Sequence, residues 1–411
     1  MTTDRMPSAR RAADDDAATS SSPAPAGRRR SLRVLVVMPG IDPVAGAERS
    51  FIALVPDLVA TGVRLHLAVL TNRQGLVPEL ERLGVVIHDF SGASNFGRRV
   101  VALRRTIKAI GPDLVHASLF EASVPSQLAV VGSDTPILVT WASTNYGEAQ
   151  FGETDAVHWK LRLAQVIDAV AGRVSRSKYQ AVTGGVARVN SSTLRVDRSR
   201  VMVGERGRAG DQFVVDPVVT ATTRNELGLS ADDRIILAVG RQDAVKGYES
   251  LVDAFEELAD RHLDLHLVIA GGRGGATPRL EGQVSTLRHA ERVHLLGLRS
   301  DVPALLAIAD VVVCSSYREG AAGALIEAMA SGTPVVSIAL TGLEDVLDDG
   351  VNAVVVERDG IAAGIERVLS SPELADRLAA GGRSTFTERF TLGRASQRLR
   401  EIYDWVVDAS S

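Results

Sequence analysis

Short, continuously apolar segments alternate with segments of helical periodicity from residue 32 onward. Strands that are apolar along their whole length are buried on both faces, and helices between them make neighbouring strands parallel. The first set of apolar segments covers 32–38, 64–70, 85–90, 113–117 and 136–141. The second set covers 234–240, 265–271, 292–297, 310–316, 334–340 and 352–357. The sequence therefore predicts an α/β protein with two doubly wound parallel sheets.

Four regions are predicted along the 411 residues. Residues 1–30 are rich in Ser, Ala, Pro and charge and lack apolar periodicity, so we expect a disordered tail. A Val- and Thr-rich stretch separates the two apolar sets, which predicts Rossmann-like domains at 31–213 and 214–390. The last segment, 391–411, contains an amphipathic helix. A chain of this length can bury two separate cores, and ligands of such sheets bind outside the carboxyl ends of the strands.

The composition excludes several classes of protein. The net charge of −4 and the hydrophobic content of 45% show no bias toward nucleic acid. A single cysteine, Cys314, excludes an intrachain disulfide and a cysteine-based metal site. No segment reaches the ~18 uninterrupted apolar residues of a spanning helix. The basic run at 28–33 precedes an apolar segment that is too short for a signal peptide, so we predict a cytoplasmic enzyme.

The most specific motif holds two carboxylates eight positions apart, Glu319 and Glu327. If the whole motif were helical, a rotation of about 100° per residue would leave these acids roughly 80° apart, not on one face. We therefore expect Glu319 in a loop and a helix that begins near Ala322. The free amides of the first helical turn would form an anion site suited to a phosphate. The amides in question belong to Gly323, Ala324 and Leu325. The alternative is a surface helix with two solvated glutamates.

Two basic residues, Arg241 and Lys246, follow the predicted strand that ends at Gly240. Together with helix amides they could neutralise the charge that develops on a diphosphate leaving group. Because the only Asp-x-Asp triplet, Asp14–Asp16, lies in the predicted tail, we expect neither a metal nor another cofactor. The turn after the first strand lacks G-x-G-x-x-G, which argues against a dinucleotide-dependent dehydrogenase.

The chain resembles the family 4 retaining glycosyltransferases of the GT-B fold. The resemblance rests on 236–258, 265–272 and 292–316, followed by the acid pair, in matching order and spacing. It is weaker in the N-terminal half, at 34–50 and 113–119. It implies two Rossmann-like domains facing across a cleft, the first on the acceptor side and the second on the donor side. It also implies that the last helix packs back on the N-terminal domain.

The resemblance also implies roles for individual residues. Arg241 and Lys246 would stabilise the leaving diphosphate, Glu319 would bind the transferred sugar, and Glu327 would bind the ribose hydroxyls. On this interpretation Glu319 is not a nucleophile, because a donor phosphate oxygen would accept the acceptor proton during front-face attack. The remaining donor-binding candidates are Gly46, Gly240, Leu298, Gly323, Ala324 and Leu325.

Three positions depart from the family pattern. Many members have a histidine shortly after the strand at 136–141, where this chain has Ala142 and Ser143. Arg206 stands where an Asn is usual before Gly. At the Gly46 loop the first of the family's two glycines is Ala45. The candidates for contact with the sugar or the acceptor are therefore Ser143, Thr144 and Asn145, together with His116, which could equally be structural.

The function predicted is transfer of a sugar from a nucleoside diphosphate to a hydroxyl of a glycan, a lipid-linked molecule or a small molecule, in glycoconjugate or polysaccharide synthesis. A sugar-nucleotide epimerase or hydrolase of similar fold, or a non-catalytic nucleotide-sugar-binding relative, is the alternative. The helical segment 96–111 is basic and amphipathic and could rest on the inner surface of an anionic membrane. A crossover helix with one wet face has the same pattern, and we favour that interpretation.

Overall fold

The computed structural model describes residues 30–41, 46–71, 75–93, 95–144, 146 and 158–409. Residues 1–29, which make up nearly all of the predicted tail, lie outside the described residues. Asn145, one of the candidates for sugar contact, also lies outside them.

The first sheet has seven parallel strands in the order β3-β2-β1-β4-β5-β6-β7. They are β1 (Leu32–Met38), β2 (Val63–Val69), β3 (Val86–Asp89), β4 (Leu114–Ser118), β5 (Ile137–Trp141), β6 (Lys178–Ala181) and β7 (Val201–Val203). The helices of this half are α1 (Gly46–Ile52), α2 (Val55–Ala60), α3 (Val77–Arg82), α4 (Phe96–Ile110), α5 (Phe120–Val130), α6 (His158–Val174) and α7 (Gly184–Leu194). The strand order reverses between β1 and β4, the point where a ligand crevice opens in such sheets.

The second sheet has six parallel strands in the order β10-β9-β8-β11-β12-β13. They are β8 (Arg234–Val239), β9 (Leu265–Ala270), β10 (Val293–Gly297), β11 (Val311–Cys314), β12 (Val335–Ile338) and β13 (Val354–Val356). Its helices are α8 (Pro217–Glu226), α9 (Tyr248–Ala259), α10 (Thr277–Val284), α11 (Val302–Ile308), α12 (Gly323–Ser331), α13 (Ile361–Leu369) and α14 (Pro372–Thr385). The predicted fold class, two doubly wound parallel sheets, is confirmed.

The apolar content of the strands explains why both sheets are covered on both faces. Six of the seven residues of β1 are buried, and the four central residues of β8 are buried as well. The set of strands predicted for the first sheet was incomplete, because β6 and β7 were not among them. Each is short, and β6 carries Lys178 and Gln180 within its four residues. The pattern of continuous apolar residues is therefore absent where the sheet reaches its edge.

The last helix, α15 (Leu392–Asp408), packs on the first sheet rather than the second. It contacts α2, β4 and β5. Its Tyr403 hydroxyl lies 2.8 Å from His116 Nδ1, and the Arg400 guanidinium donates to the carbonyl of Thr61 at 3.0 Å. Arg400 is fully buried and also pairs with Asp404, so its charge is compensated within the helix. The end of the chain thus stabilises the core of the N-terminal half. We propose that the two domains span residues 31–213 and 214–390, and that α15 follows the second domain and packs on the first.

Candidate active site

A cleft of about 1030 Å³ lies at the carboxyl ends of the strands of both sheets. From the first sheet it is lined by residues that follow β1, β2 and β4 within one or two positions, namely Pro39, Thr71 and Leu119. From the second sheet it is lined by the residues that follow β8 to β11, namely Gly240, Gly271, Leu298 and Ser315. Parallel strands bring their carboxyl ends to one edge, so two sheets facing each other form a cleft from residues far apart in sequence.

On the side of the second sheet, two glycines approach each other closely and form the floor of the cleft. A Cβ on Gly271 would lie 1.9 Å from the carbonyl oxygen of Gly240, so no side chain fits there. Gly240 itself has φ of +153°, and a Cβ there would crowd Lys246 Cε at 3.0 Å. The backbone after β8 therefore turns sharply into the cleft and presents Arg241 and Lys246.

Arg241 is the most exposed cation at this edge, with 71% of its side chain accessible, and it pairs with Asp243 at 2.5 Å. Lys246 is more buried and lies across the cleft floor from Glu319, with Nζ 2.6 Å from Oε1. Burial acts to lower the pKa of Lys246, but the charge and hydrogen bond of Glu319 outweigh it, so that the pKa is raised. The ammonium therefore stays charged at the place where a phosphate could bind.

Glu319 is held by two donors through a single oxygen. Oε1 accepts from Lys246 Nζ and, at 2.8 Å, from the Ser316 hydroxyl. No described residue donates to Oε2. One oxygen of this carboxylate is thus fixed by the protein, and the other is left as a hydrogen-bond acceptor on a residue that lines the cleft.

Helix α12 begins at Gly323, close to the predicted start at Ala322. Ala322 has φ of +42°, a left-handed conformation that turns the chain abruptly from the Glu319 loop into the helix. Among the described residues, none accepts a hydrogen bond from the amides of Gly323 or Ala324. The Leu325 amide donates to the carbonyl of Ala322 at 2.8 Å, so the prediction that it is free was wrong. Two amides rather than three are therefore available at this helix N-terminus, and an anion site there stays a prediction.

Arg208 is a functional candidate that the sequence analysis did not single out. Its Nε donates to Glu327 Oε1 at 2.8 Å, and another of its nitrogens donates to the Ser50 hydroxyl at 2.9 Å. A Cβ on Gly323 would lie 2.6 Å from this guanidinium, so the glycine leaves room for Arg208 in its present position at the helix N-terminus. The side chain therefore joins α1 of the first half to α12 of the second and adds a cation beside the two free amides.

Arg206 lies near the same group of charges. Burial first and the charge of Arg208 second lower the pKa of Arg206 to about 10, and the charge of Glu319 partly opposes both. No side-chain hydrogen bond of Arg206 connects it to another described residue. The family departure at this position thus places a second arginine within electrostatic range of Glu319.

The remaining donor-side candidates fall into two groups. Leu298 lines the cleft and is 64% exposed, directly after the left-handed Gly297. The predicted role of Leu298 in donor binding stays a prediction. Gly46 is the first residue of α1, whose Glu48 and Arg49 line the cleft on the opposite side.

Of the candidates after β5, the two that the structure describes, Ser143 and Thr144, are not among the residues that line the cleft. Thr144 is buried, and the carbonyl of Ser143 accepts a hydrogen bond from Asn190 at 2.9 Å. A Cβ on Gly320 would lie 1.7 Å from the carbonyl oxygen of Ala142. The segment at 142–144 therefore packs behind the Glu319 loop and supports it, so contact of Ser143 or Thr144 with a sugar is not what the structure favours.

His116 is placed in the core of the first sheet and not in the cleft lining. Its Nδ1 lies 2.8 Å from the Tyr403 hydroxyl and its Nε2 lies 2.7 Å from the Thr140 hydroxyl. Burial lowers the pKa of His116 to about 3. With both nitrogens bonded inside the protein, the structural role, which the sequence had left open, is the one that the geometry favours.

The buried His116 is expected to make the stability of the protein depend on pH. Its folded pKa of about 3 lies below the ordinary value of 6.5. The stability that its neutral form contributes is therefore complete above that ordinary value and is lost as the pH falls toward the folded pKa. Between about pH 7 and pH 5, we expect the gap in unfolding free energy between wild type and His116→Gln to shrink by about 2 kcal/mol. Urea unfolding at several pH values measures this gap, and a gap that stays constant with pH would contradict the assignment.

Within the described part of the chain, no cluster of three or more His, Cys, Asp or Glu could hold a metal ion. None of the helices described is both long enough and apolar enough to cross a bilayer.

Comparison with known proteins places this cleft in a family context. Residues 219–385 match the family model described as glycosyl transferases group 1. The chain is 33% identical over 189 residues to an alpha-D-kanosaminyltransferase of Streptomyces kanamyceticus, which covers 44% of this chain and 48% of that protein. It is 34% identical over 220 residues to a D-inositol 3-phosphate glycosyltransferase of Xylanimonas cellulosilytica, and this match covers 50% of this chain and 52% of that protein. The chain thus spans about half the length of the curated relatives that it matches.

Solved structures match over nearly the whole chain. Anabaena HepE in complex with UDP superposes with a TM-score of 0.77 at 19% identity and covers 91% of this chain and 100% of its own. Sucrose-phosphate synthase from Thermosynechococcus elongatus gives a TM-score of 0.75 at 20% identity, covering 92% and 100%. At this level of identity the likeness shows the fold, which is GT-B.

Proposed function

Because residues 219–385 belong to the glycosyl transferases group 1 family and the chain has the GT-B fold, we propose that it transfers a sugar from a nucleoside diphosphate to a hydroxyl acceptor. The observation that carries the proposal is the ion pair on the cleft floor, in which Lys246 Nζ lies 2.6 Å from Glu319 Oε1. This pair places a cation for phosphate next to a carboxylate for hydroxyl groups. A sugar diphosphate presents both kinds of group a few bonds apart.

The charges of the cleft suit the departure of a nucleoside diphosphate. Negative charge develops on the diphosphate as the bond to the sugar breaks, and groups already oriented toward it stabilise the transition state more than the ground state. Arg241 and Lys246 supply cations from the turn after β8, and the amides of Gly323 and Ala324 supply dipoles from α12. The Arg208 guanidinium adds a third cation beside those amides.

The donor that we propose is a nucleotide sugar, with uracil as the first nucleobase to test. Solved structures of HepE are complexes with UDP and with UDP-glucose, and HepE shares the fold of this chain. Leu298, directly after β10, offers an exposed apolar surface in the same cleft, where we propose that the base lies.

We propose further that transfer proceeds with retention of configuration and without a metal. Glu319 is a poor nucleophile in this arrangement, because the adjacent ammonium of Lys246 stabilises its negative charge and Ser316 holds the same oxygen. A donor phosphate oxygen would instead accept the proton of the acceptor hydroxyl on the face from which the leaving group departs. The epimerase alternative is less well supported, because no histidine is found among the described residues that line the cleft.

The acceptor that we propose is a hydroxyl of a glycan, a lipid-linked molecule or a small molecule. It would enter from the first sheet, where Glu48, Arg49 and Glu121 line the cleft opposite the donor. We also propose that the enzyme works in the cytoplasm, with peripheral contact to the membrane surface.

The donor assignment is tested by a thermal-shift screen of UDP-, GDP- and ADP-sugars. A ligand present at about one hundred times its dissociation constant stabilises the protein by about 2.7 kcal/mol. We expect one nucleotide class to raise the melting temperature and the matching nucleoside without phosphates to do so far less, because the cations contact the diphosphate. If no sugar nucleotide shifts the transition, the proposed function is wrong.

Metal independence is tested by chelation. We expect excess EDTA to leave the rate of sugar transfer largely unchanged, because the cations of Arg208, Arg241 and Lys246 occupy the place where a metal would neutralise the diphosphate. The rate would be measured with the donor that the screen identifies. Loss of transfer on chelation, with recovery on addition of magnesium or manganese, would overturn this part of the proposal.

A further inference from the structure

Helix α6 exposes an apolar stripe along its full length. The stripe consists of side chains that are each 41–60% exposed, namely Trp159, Leu163, Val166, Ile167, Val170 and Val174. At about 100° per residue these six positions fall within an arc of roughly 100° on the helix surface. The opposite face is buried, where Asp168, Ala171 and Gly172 pack against the rest of the protein. A contiguous apolar face of this kind is uncommon on a protein that meets only water.

Cations border the α6 stripe on both sides. Lys160 lies at one edge of the arc, and Arg162 and Arg173 lie at the other, and all three are exposed. The Lys160 ammonium is 5.9 Å from the centroid of the Trp159 ring, so cation and aromatic side chain sit together at one end. On α6, which is described over its full length, the only acidic residue is Asp168, and it is buried.

A second helix on the same face of the sheet has the same charge. Helices α4 and α6 both pack against α5, which lies between them. Every residue of α4 is described, and it contains no acidic residue. It exposes four cations and two large apolar side chains, namely Arg98, Arg104, Arg105, Lys108, Phe96 and Val101. The positive charge of α4 and α6 contrasts with the net charge of the whole chain, which is −4.

From this geometry we propose that the α6 stripe, with the basic face of α4 beside it, is a binding surface for an anionic lipid bilayer. An amphipathic helix with an apolar face and basic borders lies in the interface plane, with its apolar side chains among the acyl chains and its cations at the headgroups. The proposal specifies the surface that makes the peripheral contact proposed above and rests on that contact, not on sugar transfer.

A second copy of this chain is a less suitable occupant of the same surface. Two α6 stripes packed face to face would bring the cations at the borders of one helix against the cations of the other. Like charges at that distance repel, and no exposed acid on α6 is present to offset them. An anionic surface has the complementary charge, so the borders and the stripe would contribute to binding together.

The test is sedimentation of the full chain with lipid vesicles, without nucleotide sugar. We expect binding to vesicles of phosphatidylcholine and phosphatidylglycerol in equal parts, little binding to phosphatidylcholine alone, and weaker binding as salt increases. Replacing Val166→Ser and Val170→Ser together should lower the partition coefficient at least about tenfold, because their methyl groups no longer enter the acyl region. Replacing Lys160→Glu and Arg162→Glu should lower it about fivefold or more for each charge removed.

A matched control replaces two valines that are more exposed but lie elsewhere, Val214→Ser with Val218→Ser, and should leave vesicle binding unchanged. The proposal is overturned if the wild type does not bind mixed vesicles, or if the stripe variant binds as the wild type does. A dimer in sedimentation velocity that the stripe variant alone abolishes would also overturn it, in favour of a second copy. Since none of the stripe residues lines the cleft, the nucleotide-induced thermal shift should persist in every variant, which separates failure of this inference from failure of the proposed function.

Discussion

Replacing Arg241 by alanine is expected to lower kcat/KM about 10²–10³-fold, the loss typical of removing one group that is oriented toward developing charge. The Arg241 side chain is 71% exposed and its one described ion pair is with Asp243, so its removal leaves no buried group without a partner. The melting temperature should therefore change little. The measurement is steady-state kinetics with the donor that the nucleotide screen identifies.

The matched control is Arg273→Ala. Arg273 is similarly exposed and also pairs with an acid, Glu281, but it is not among the residues that line the cleft. Its replacement should leave kcat/KM near the wild-type value. If Arg241→Ala retains near wild-type turnover, or if the control loses as much, the assignment of Arg241 to the leaving diphosphate is wrong.

Lys246 gives an independent test of the same site, although its replacement has wider consequences. The Lys246 side chain is only 24% exposed, whereas that of Arg241 is 71% exposed. Its aliphatic stem fills the space beside Gly240, and its ammonium compensates the charge of Glu319. Lys246→Met keeps the packing and removes the charge, and we expect a loss of kcat/KM of similar size, about 10²–10³-fold.

The fold was predictable because burial on both faces leaves a direct mark on the sequence. A strand such as β8, with four consecutive buried residues, has no polar face, and its length separates it from a helix. The edge strand β7 has only three residues, all of them partly exposed. Its pairing with β6 depends on the sheet that precedes it and not on its own apolar pattern.

The candidate site was predictable where backbone position alone determines it. Gly240, Lys246 and Glu319 follow strands at one edge of a parallel sheet, so their placement follows from the strand order. Arg208 could not be inferred in this way, because it reaches Glu327 from a segment 119 residues earlier that has no strand or helix at that point. The sequence signal for Arg208 was its position two residues after Arg206, but only Arg206 was singled out as a departure from the family pattern.

The segment after β5 shows another limit of sequence position. A strand end at the correct edge suggested that Ser143 and Thr144 reach the sugar, but the chain there packs under Gly320. Sequence position gives the edge of the sheet at which a residue lies and does not give the direction of its side chain.

The two glutamates of the motif are expected to separate nucleotide binding from transfer. Glu327 lies one turn inside α12, beside the N-terminus where a nucleoside diphosphate would end, and Glu319 lies in the preceding loop on the cleft floor. Each uses one oxygen for a cation, Arg208 or Lys246, and no described residue donates to the other oxygen. The free oxygen of Glu327 would accept from the ribose hydroxyls, and that of Glu319 from a hydroxyl of the transferred sugar.

Glu327→Ala should therefore weaken binding of the free nucleoside diphosphate, while Glu319→Ala should leave that affinity nearly unchanged and mainly slow transfer. A hydrogen bond to a charged group contributes about 1.5–3 kcal/mol, so each effect should be tenfold or larger. Titration calorimetry with the nucleoside diphosphate alone measures the first effect, and kinetics with the sugar donor measure the second. Glu281→Ala, an acid of the same half that does not line the cleft, is the control for both. Equal losses of nucleotide affinity in the two variants would show that the carboxylates do not divide the donor between them, since the Glu319 loop would then also hold the nucleotide.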